Sequence, residues 1–348
     1  MSLPFGPPLE PMLAKLSRTI PKGDGWQYEP KWDGFRCIVY FDGQEAYLQS
    51  RDKKPLARYF PELRERLEQV LTRPVVLDGE IVIMGPNGID FDAMLMRIHP
   101  AESRVRMLAG KTPSSFVAFD LLGVESQDLR EAHFEQRRAA LDRVIGAGEA
   151  PLYVTPMTRD PKVAEEWFNR FEGAGFDGII ARPLKGAYAP GQRTLAKIKH
   201  LRTADCAVGG FRWLKDHEGT AIGSLLLGVY DGAGTFHHIG HTSSFDAQQR
   251  RELVPLLAPH VTDDDIGFGK GRTPGTPTRW TQGKDASWVR MRPELVCEVN
   301  FDHLQSGRFR HAARFLRWRP DKPAGDCTYD QLDTAVPAEL MRIFEPRS

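Results

Sequence analysis

The chain has 348 residues, of which 41% are hydrophobic and 27% charged, a composition typical of a globular protein long enough for two domains. Its formal net charge is only +1, so overall charge does not indicate a nucleic-acid partner, although charge can still be segregated onto one face. No run approaches about twenty apolar residues and the first residues lack a signal-peptide pattern, which excludes membrane-spanning and secreted classes and predicts a cytoplasmic protein.

The first 200 residues predict a mixture of strands and helices. Apolar runs of strand length occur at residues 35–41, 75–84, 115–122, 177–182 and 195–199. Between them, apolar residues recur at helical spacing in residues 58–72 and 162–172, and Gly173 and Gly175 offer a stop to the second helix. This half is therefore expected to be a mixed α and β domain.

The pattern changes after residue 200. Short apolar runs punctuated by glycine, at residues 207–211, 224–230, 236–239 and 295–299, predict a small antiparallel barrel. We place the boundary within residues 201–205 and divide the chain into domains 1–202 and 203–348. Residues 262–286 are rich in Gly, Pro, Thr and Asp and are interpreted as a long loop of the second domain.

Cysteine and histidine do not indicate a metal site. The four cysteines are far apart and form no Cys-x-x-Cys pair, which argues against a disulfide framework and a cysteine zinc site. His237, His238 and His241 have strand-like neighbours and no cysteine nearby, so we interpret them as surface or core histidines.

The run Glu29-Pro-Lys31-Trp-Asp-Gly-Phe-Arg36 places a lysine beside a carboxylate and a guanidinium at the start of an apolar strand. A lysine amine, with an ordinary pKa of about 10.4, is a nucleophile only without its proton, and nearby cations or burial promote that loss. An isolated Lys-x-Asp-Gly is explained equally well by a solvated lysine before a turn. A phosphate-binding P-loop is excluded, because Val105 stands where the leading glycine before Gly110-Lys111-Thr112 is required.

An ordered set of further residues favours nucleotide chemistry. The set comprises Arg51, Glu80 in Leu-Asp-Gly-Glu-Ile, Phe119-Asp120, Asp177-Gly-Ile-Ile-Ala-Arg182 and Lys197-Ile-Lys199. Glu80 and Asp177 offer hard oxygen ligands to Mg²⁺ or to ribose hydroxyls, and Phe119 offers a ring on which a purine could stack. Lys197 and Lys199 alternate along a strand, so they are expected to share a face and to grip an α-phosphate. Taken singly, each residue also has an ordinary structural explanation.

With Arg317-Trp-Arg319-Pro-Asp321-Lys322, this series resembles the nucleotidyltransferase motifs of ATP-dependent DNA ligases, in detail the small C-type ligases of mycobacteria and other actinobacteria. The resemblance begins at Pro11-Met-Leu-Ala14 and reaches that last motif. It implies an α+β fold, in which an adenylation domain of mixed antiparallel sheets and helices precedes a β-barrel OB-fold domain. It also implies ATP, Mg²⁺ or Mn²⁺, and three nucleotidyl transfers: AMP goes from ATP to Lys31, then to the 5′-phosphate of a DNA nick, and the 3′-hydroxyl finally displaces it.

The motif match also implies a role for each site residue. Nucleotide contacts are implied for Glu29 (adenine), Arg36 and Glu80 (ribose), Phe119 (purine face), Lys197 and Lys199 (α-phosphate), and Arg182. Asp177, with Glu80, would hold the metal. Arg51 would contact the nick phosphate as well as nucleotide. The last motif, Arg317, Arg319, Asp321 and Lys322, would orient pyrophosphate in the first step only, through movement of the OB domain over the active site.

The second half carries a basic and aromatic stripe. Residues 304–319 contain five arginines, interleaved with Phe309, Phe315 and Trp318, and of these Arg308, Arg310 and Arg314 are predicted to bind the DNA backbone. The alternative is a solvated helix face packed through Phe315.

The sequence leaves three functions open. The first is a nick-sealing DNA ligase acting in repair on double-stranded DNA, as a monomer near the bacterial nucleoid, with Ku or a repair polymerase as expected protein partners. The second, an mRNA-capping-type guanylyltransferase or RNA ligase of the same superfamily, is favoured only by Asp177, where most DNA ligases carry Glu. The third is a ligase-like OB protein that binds DNA without catalysis, against which the intact Lys31, Lys197 and Lys199 argue.

Overall fold

The structure is a computed structural model that describes residues 3–85, 88–146, 148–170, 176, 178–199, 202–264, 268, 274, 287–302, 304–305 and 307–332. The chain divides into two compact units between residues 200 and 201. Each unit has its own hydrophobic core. Within these ranges, no helix is long and apolar enough to cross a membrane.

The first unit combines strands with helices. Its strands are β1 (Leu13–Ser17), β2 (Trp26–Pro30), β3 (Phe35–Phe41), β4 (Ala46–Ser50), β5 (Val75–Gly85), β6 (Gly88–Ile89), β7 (Ser114–Val124), β8 (Gln127–Asp128), β9 (Leu152–Val154), β10 (Ile179–Pro183) and β11 (Arg193–Ile198). Its helices are α1 (Pro61–Val70), α2 (Phe91–Arg97), α3 (Glu102–Lys111), α4 (Phe134–Ile145) and α5 (Pro161–Arg170). The strands expected from the apolar runs are therefore confirmed, with ends shifted by a few residues.

Two sheets organise the first unit. In the larger sheet the strand order is β4-β3-β5-β7-β8, with β6 beside β5 and β9 parallel to β7. In the smaller sheet the order is β1-β11-β10-β2, and only the β1–β11 pair is parallel. Residues that pair directly across strands share a face of the sheet, so the register brings Glu29, Ile180 and Lys197 to one face.

Helices cover the larger sheet through apolar faces. Leu63 and Leu67, four residues apart on α1, are fully buried in the main core. The expected helix at 58–72 is shorter, because Pro61 supplies the fixed φ of a first helical position and the preceding residues form turns. Helices α2, α3 and α4 were not expected from the sequence.

The second unit is a closed barrel. Its strands are β12 (Arg202–Trp213), β13 (Ile222–Tyr230), β14 (Phe236–Thr242), β15 (Val289–Arg290), β16 (Val296–Phe301), β17 (Leu304–Gln305), β18 (Arg308–Phe309) and β19 (Arg314–Trp318). The order β14-β13-β12-β16-β19 closes where Thr242 bridges Ala313 and the Ala313 N–H donates to the His241 carbonyl at 2.8 Å. Five main strands closed in this order form an OB-fold barrel, which confirms the expected architecture.

One helix, α6 (Ala247–Leu257), was not expected in the barrel domain. The Asp246 carboxylate caps it by accepting from the backbone N–H groups of Gln248 and Gln249. Leu253 and Leu257 then bury one face against the barrel core. The expected loop at 262–286 lies mostly outside the described residues.

Candidate active site

A cavity of about 190 Å³ in the first unit collects most of the predicted nucleotide residues. Among the residues that line it are Glu29, Lys31, Arg36, Arg51, Glu80, Phe119, Arg182 and Lys197. They come from both sheets, so the register of the strands assembles residues that are far apart in the sequence. Lys199 directly follows β11 and is not one of the lining residues, whereas Asp177 lies outside the described residues.

Two glycines permit the tight packing around Lys31. The Lys31 N–H donates to the Gly178 carbonyl at 2.9 Å, which ties the lysine loop to the start of β10. A Cβ on Gly34 would collide with the Ile81 carbonyl oxygen, and Gly178, with φ of +121°, lies against the Ile198 carbonyl oxygen. The glycine of Lys-x-Asp-Gly is therefore required by close backbone approach, which fixes the loop that carries Lys31.

Glu29 is a buried carboxylate with one oxygen available. The Arg182 Nε donates to Glu29 Oε1 at 2.5 Å, and both side chains are almost fully buried. Glu29 Oε2 is buried and has no hydrogen-bond partner within the described part of the chain. Burial raises the pKa of Glu29, and Arg182 opposes that rise. An unsatisfied buried acceptor at the cavity wall is suited to a donor group of a bound ligand.

Arg36 is held by a buried pair that the sequence did not reveal. Its Nε and Nη2 atoms donate to the two oxygens of Asp78, each at 2.6 Å, in a bidentate pair. The Tyr188 hydroxyl donates to Asp78 Oδ2 at 2.7 Å and accepts from the Met12 N–H at 3.1 Å. Burial and Asp78 raise the pKa of Tyr188, so its hydroxyl keeps the proton that it donates. Asp78 and Tyr188 thereby orient the guanidinium at the cavity.

Two guanidinium groups pack against the ring of Phe119. Arg36 and Arg182 have their guanidinium carbons 4.4 and 4.6 Å from the ring centroid, within the range of a cation–π interaction. The next residue, Asp120, forms a bidentate pair with Arg137 at 2.8 and 2.9 Å, and both side chains are fully buried. Both residues of the Phe119-Asp120 motif therefore contact arginines that are paired with carboxylates. Of the two, only Phe119 was predicted to be a site residue.

Glu80 lies directly across from Arg36 in the β3–β5 register. Burial raises the pKa of Glu80 to about 7, and the neighbouring cations Arg36 and Lys31 oppose that rise. A divalent cation would stabilise the charged carboxylate, so this donor fits a metal. Within the described ranges no group of three or more His, Cys, Asp or Glu side chains could hold an ion by itself. Mg²⁺ commonly binds through one or two carboxylates and takes its remaining ligands from phosphate oxygens and water, and a single carboxylate such as Glu80 is compatible with that mode of binding.

The terminal motif of the second unit forms a charged cluster of its own. The Arg317 Nε donates to Glu298 at 2.6 Å. Arg319 donates to Asp321 at 2.7 Å and to both oxygens of Asp205 at 3.1 Å, and Lys322 donates to Asp205 at 2.8 Å. Hydrogen bonds from Arg319 lower the pKa of Asp321 to about 2.

The basic stripe is built from strands, so the helical alternative is wrong. Its aromatic residues face the barrel: Phe309 stacks on Phe301 with centroids 4.7 Å apart, and Phe315 packs against Phe245 at 5.4 Å. Arg314 begins β19 and is exposed, while Arg308 and Arg310 are half-buried. Phe309 and Phe315 thus pack into the core of the barrel, while the exposed Arg314 side chain faces solvent.

The three histidines all lie on β14. The His237 Nε2 atom forms a hydrogen bond with Asp231 at 2.7 Å. Burial lowers the pKa of His238 to about 3 and also lowers that of His241. His238 and His241 are therefore neutral at physiological pH.

Comparison with known proteins gives consistent matches over both units. The family profile described as ATP dependent DNA ligase domain matches residues 11–199, and that described as ATP dependent DNA ligase C terminal region matches residues 218–322. DNA ligase C of Mycobacterium tuberculosis is 47% identical over 356 residues, covering 99% of each chain. DNA ligase C1 of Mycolicibacterium smegmatis is 44% identical over 355 residues, again with 99% of each chain covered. A solved Lig E DNA ligase structure has a TM-score of 0.52 at 19% identity, covering 89% of this chain and 99% of that one, a likeness of fold.

Proposed function

This chain belongs to the ATP-dependent DNA ligases, in their small C-type group, and we propose that Lys31 is the nucleophile through which it joins DNA. One observation carries the proposal. Lys31 shares the wall of a single cavity with the half-satisfied Glu29 carboxylate, the Arg36–Glu80 strand pair and Lys197. These are the groups that binding a nucleotide beside a nucleophile requires.

The proposed reaction has three displacements at phosphorus. The Lys31 amine, having lost a proton, attacks the α-phosphorus of ATP. A nitrogen–phosphorus bond forms, the bond between the α-phosphorus and its bridging oxygen breaks, and pyrophosphate leaves.

An oxygen of the DNA 5′-phosphate then displaces the lysine to give adenylated DNA. The 3′-hydroxyl of the nick loses its proton, attacks that 5′-phosphorus and releases AMP. Such transfers depend mainly on positioning and on neutralising phosphate charge.

The residues around the cavity divide these tasks. Glu29 Oε2 accepts from the exocyclic amine of adenine, and Phe119 packs against the purine. Arg36, oriented by Asp78, and Glu80 contact the ribose. Lys197 and Lys199 contact the α-phosphate, and Arg51 contacts nucleotide and the phosphate of the nick. Arg182 contributes to nucleotide binding by holding Glu29.

A divalent cation, Mg²⁺ or Mn²⁺, would be held by Glu80 together with Asp177. When bound, it would neutralise charge on the phosphate oxygens. The raised pKa of Glu80 supports this assignment, because a buried carboxylate of this kind gains more from a nearby cation than an exposed one.

The second unit supplies cations for phosphate. Arg317, Arg319 and Lys322 bind the pyrophosphate of ATP in the first step, and Asp321 orients Arg319. Arg308, Arg310 and Arg314 contact the DNA backbone, which predicts binding that weakens with salt.

The proposed substrate is a nick with a 3′-hydroxyl and a 5′-phosphate in double-stranded DNA. Sealing such a nick is the last chemical step of many repair reactions, so we place the enzyme in bacterial DNA repair at the nucleoid. It would act there as a monomer, with Ku or a repair polymerase as candidate protein partners.

The test uses α-labelled ATP or GTP with Mg²⁺ or Mn²⁺, followed by nicked duplex DNA. We expect a labelled protein adduct from ATP that is chased into sealed DNA, and no adduct with Lys31→Arg, which keeps the charge of the lysine. An adduct formed only from GTP would assign the chain to the capping class. Absence of any adduct would indicate a DNA-binding protein without catalysis.

A further inference from the structure

Asp205 joins the two cations of the terminal motif that are separated by Pro320 and Asp321 in the sequence. Arg319 Nη1 lies 3.1 Å from each oxygen of Asp205, and Lys322 Nζ lies 2.8 Å from Oδ2. The Asp205 side chain is 13% exposed, while those of Arg319 and Lys322 are 21% and 24% exposed. One nearly buried carboxylate thus holds two partly accessible cations.

The position of Asp205 is itself fixed by the barrel. It lies on β12 directly across from Glu298 of β16. Gln331 accepts from the Asp205 N–H at 2.8 Å and donates to the Asp205 carbonyl at 3.0 Å. Strand pairing and the Gln331 amide therefore fix the position of the Asp205 backbone. The backbone in turn fixes the position of the carboxylate that accepts from the two cations.

The cations keep donors for another anion. Lys322 has three N–H groups, of which Asp205 takes one. Arg319 has five N–H groups, and its Nη2 atom donates to a single carboxylate oxygen, that of Asp321, so Nη2 retains a further hydrogen. Hydrogen bonding to Asp205 also raises the pKa of Lys322, so this lysine stays charged.

The charges of the cluster balance in the absence of phosphate. Its cations are Arg317, Arg319 and Lys322, and the carboxylates bonded to them are Asp205, Glu298 and Asp321. Such a neutral arrangement keeps three cations close together without strong mutual repulsion. It pre-organises them, because their side chains need not be ordered when an anion binds.

We propose that Asp205 is a positioning residue that holds Arg319 and Lys322 in the geometry that binds the departing pyrophosphate during adenylation of the enzyme. The proposal rests on the function proposed above for the terminal motif. Asp205 touches neither ATP nor DNA in this account and acts through the two cations.

The experiment measures two steps separately in the full-length protein. One assay follows formation of the AMP adduct from ATP, with kcat and KM determined, and the other follows sealing of a pre-adenylated nick, which needs no pyrophosphate contact. For Asp205→Asn, which keeps the shape and removes the charge, we expect adenylation to fall roughly tenfold to hundredfold, mainly in kcat. Sealing should stay within about threefold. Asp205→Glu, which restores the charge, should recover part of the loss.

A double-mutant comparison tests the route of the effect. Against a background of Arg319→Ala with Lys322→Ala, Asp205→Asn should lower adenylation by no more than about twofold, because the groups through which it acts are gone. Asp231→Asn is the matched control, since Asp231 pairs with His237 elsewhere in the same unit and should leave both steps unchanged.

The Arg319 and Asp205 variants separate the function of the terminal motif from the positioning role of Asp205. If Arg319→Ala adenylates normally, the function proposed for the motif fails. If Arg319→Ala is impaired but Asp205→Asn adenylates at the normal rate or faster, only the positioning role fails, and a faster rate would show that Asp205 competes with phosphate. Equal loss of both steps in a folded variant also contradicts the proposal. Should Asp205→Asn not fold, Gln331→Ala, which removes the anchor of the Asp205 backbone together with a hydrogen bond to the Thr328 carbonyl, must show the same loss confined to adenylation.

Discussion

The region around the nucleotide cavity of the first unit and the terminal motif of the second use pairs of carboxylate and guanidinium groups in different ways. In the first unit the Arg137–Asp120 pair is fully excluded from solvent, and Arg36 pairs with an Asp78 that is equally buried. In the second unit the Arg317 side chain is 63% exposed, and Arg319 is bonded to an Asp321 that is 61% exposed. A buried ion pair is held in a single arrangement, whereas an arginine of an exposed pair can exchange its carboxylate for water or for phosphate.

The difference matches the tasks proposed for the two units. A nucleotide cavity that serves three successive displacements needs fixed walls, and buried bidentate pairs provide them, although such pairs add little net stability because desolvation offsets their attraction. In the terminal motif the nearly buried Asp205 keeps Arg319 in place, while the exposed Asp321 is a partner that Arg319 can exchange for pyrophosphate. The two sites therefore differ in how readily their ion pairs can exchange partners.

The largest expected effect is on stability in the first unit. Asp120→Ala leaves Arg137 buried without its partner and removes a neighbour of Arg182, so the free energy of unfolding should fall by about 3–5 kcal/mol. Glu298→Ala, which frees only the exposed Arg317, should cost less than about 1 kcal/mol. Denaturant titration of both variants measures the difference. Similar losses in the two units would remove the distinction.

A second prediction concerns pH and the partly buried Glu80. A carboxyl whose pKa is raised from 4.5 to about 7 in the folded state holds its proton more tightly there, so protonation favours folding. In buffer free of divalent cations, unfolding free energy should therefore decrease as pH rises from about 4.5 to about 7, by at most about 3 kcal/mol. Glu80→Gln should flatten this dependence, measured as thermal stability against pH. An unchanged slope would show that other groups cause it.

Tyr188→Phe tests how firmly Arg36 is fixed. The change removes the hydroxyl that donates to Asp78 and accepts from the Met12 N–H, and leaves the ring in place. We expect a loss of about 1–3 kcal/mol in stability, since two buried groups lose their partner. The KM for ATP in adenylation should rise severalfold, and sealing of a pre-adenylated nick should slow as well, because the same Arg36 contacts the ribose of its AMP. Tyr47→Phe, at a partly exposed ring on β4, is the control and should change none of these.

The smallest effect is expected at the exposed Arg314. Arg314→Ala should leave stability within about 0.5 kcal/mol, because the side chain is a solvated surface group. Affinity for nicked DNA should fall, and the slope of log affinity against log salt should become shallower by about one. Arg251→Ala, at an exposed arginine of α6, should leave that slope unchanged. Binding titrations at several salt concentrations distinguish the two; equal slopes would remove Arg314 from the DNA surface.

Much of the fold could be predicted from apolar runs, because a strand of four to eight buried residues is visible in one stretch of sequence. The run at residues 35–41 coincides with β3, and the short runs after residue 200 became barrel strands. Helix α6 was missed because its surface is polar, although Asp246 and Gln249 form a capping box that could have indicated it.

The candidate site was predicted in its ligand-facing residues and missed in its supporting ones. Motif spacing identified Arg36 and Arg319, but their carboxylate partners lie 42 and 114 residues away. Such pairs depend on strand register and barrel closure, which the sequence alone does not specify. A buried acid within an apolar strand, as at Asp78, was the signal available, since a charge at such a position requires a partner.

The lysine that carries AMP identifies the nucleophile. The protein is incubated with ATP and a divalent cation, digested, and searched by mass spectrometry for a peptide carrying AMP through a nitrogen–phosphorus bond. We predict AMP on Lys31 and none on Lys197 or Lys199, with the adduct lost when nicked DNA is added. AMP on another lysine, or an adduct that persists in Lys31→Arg, would contradict the account.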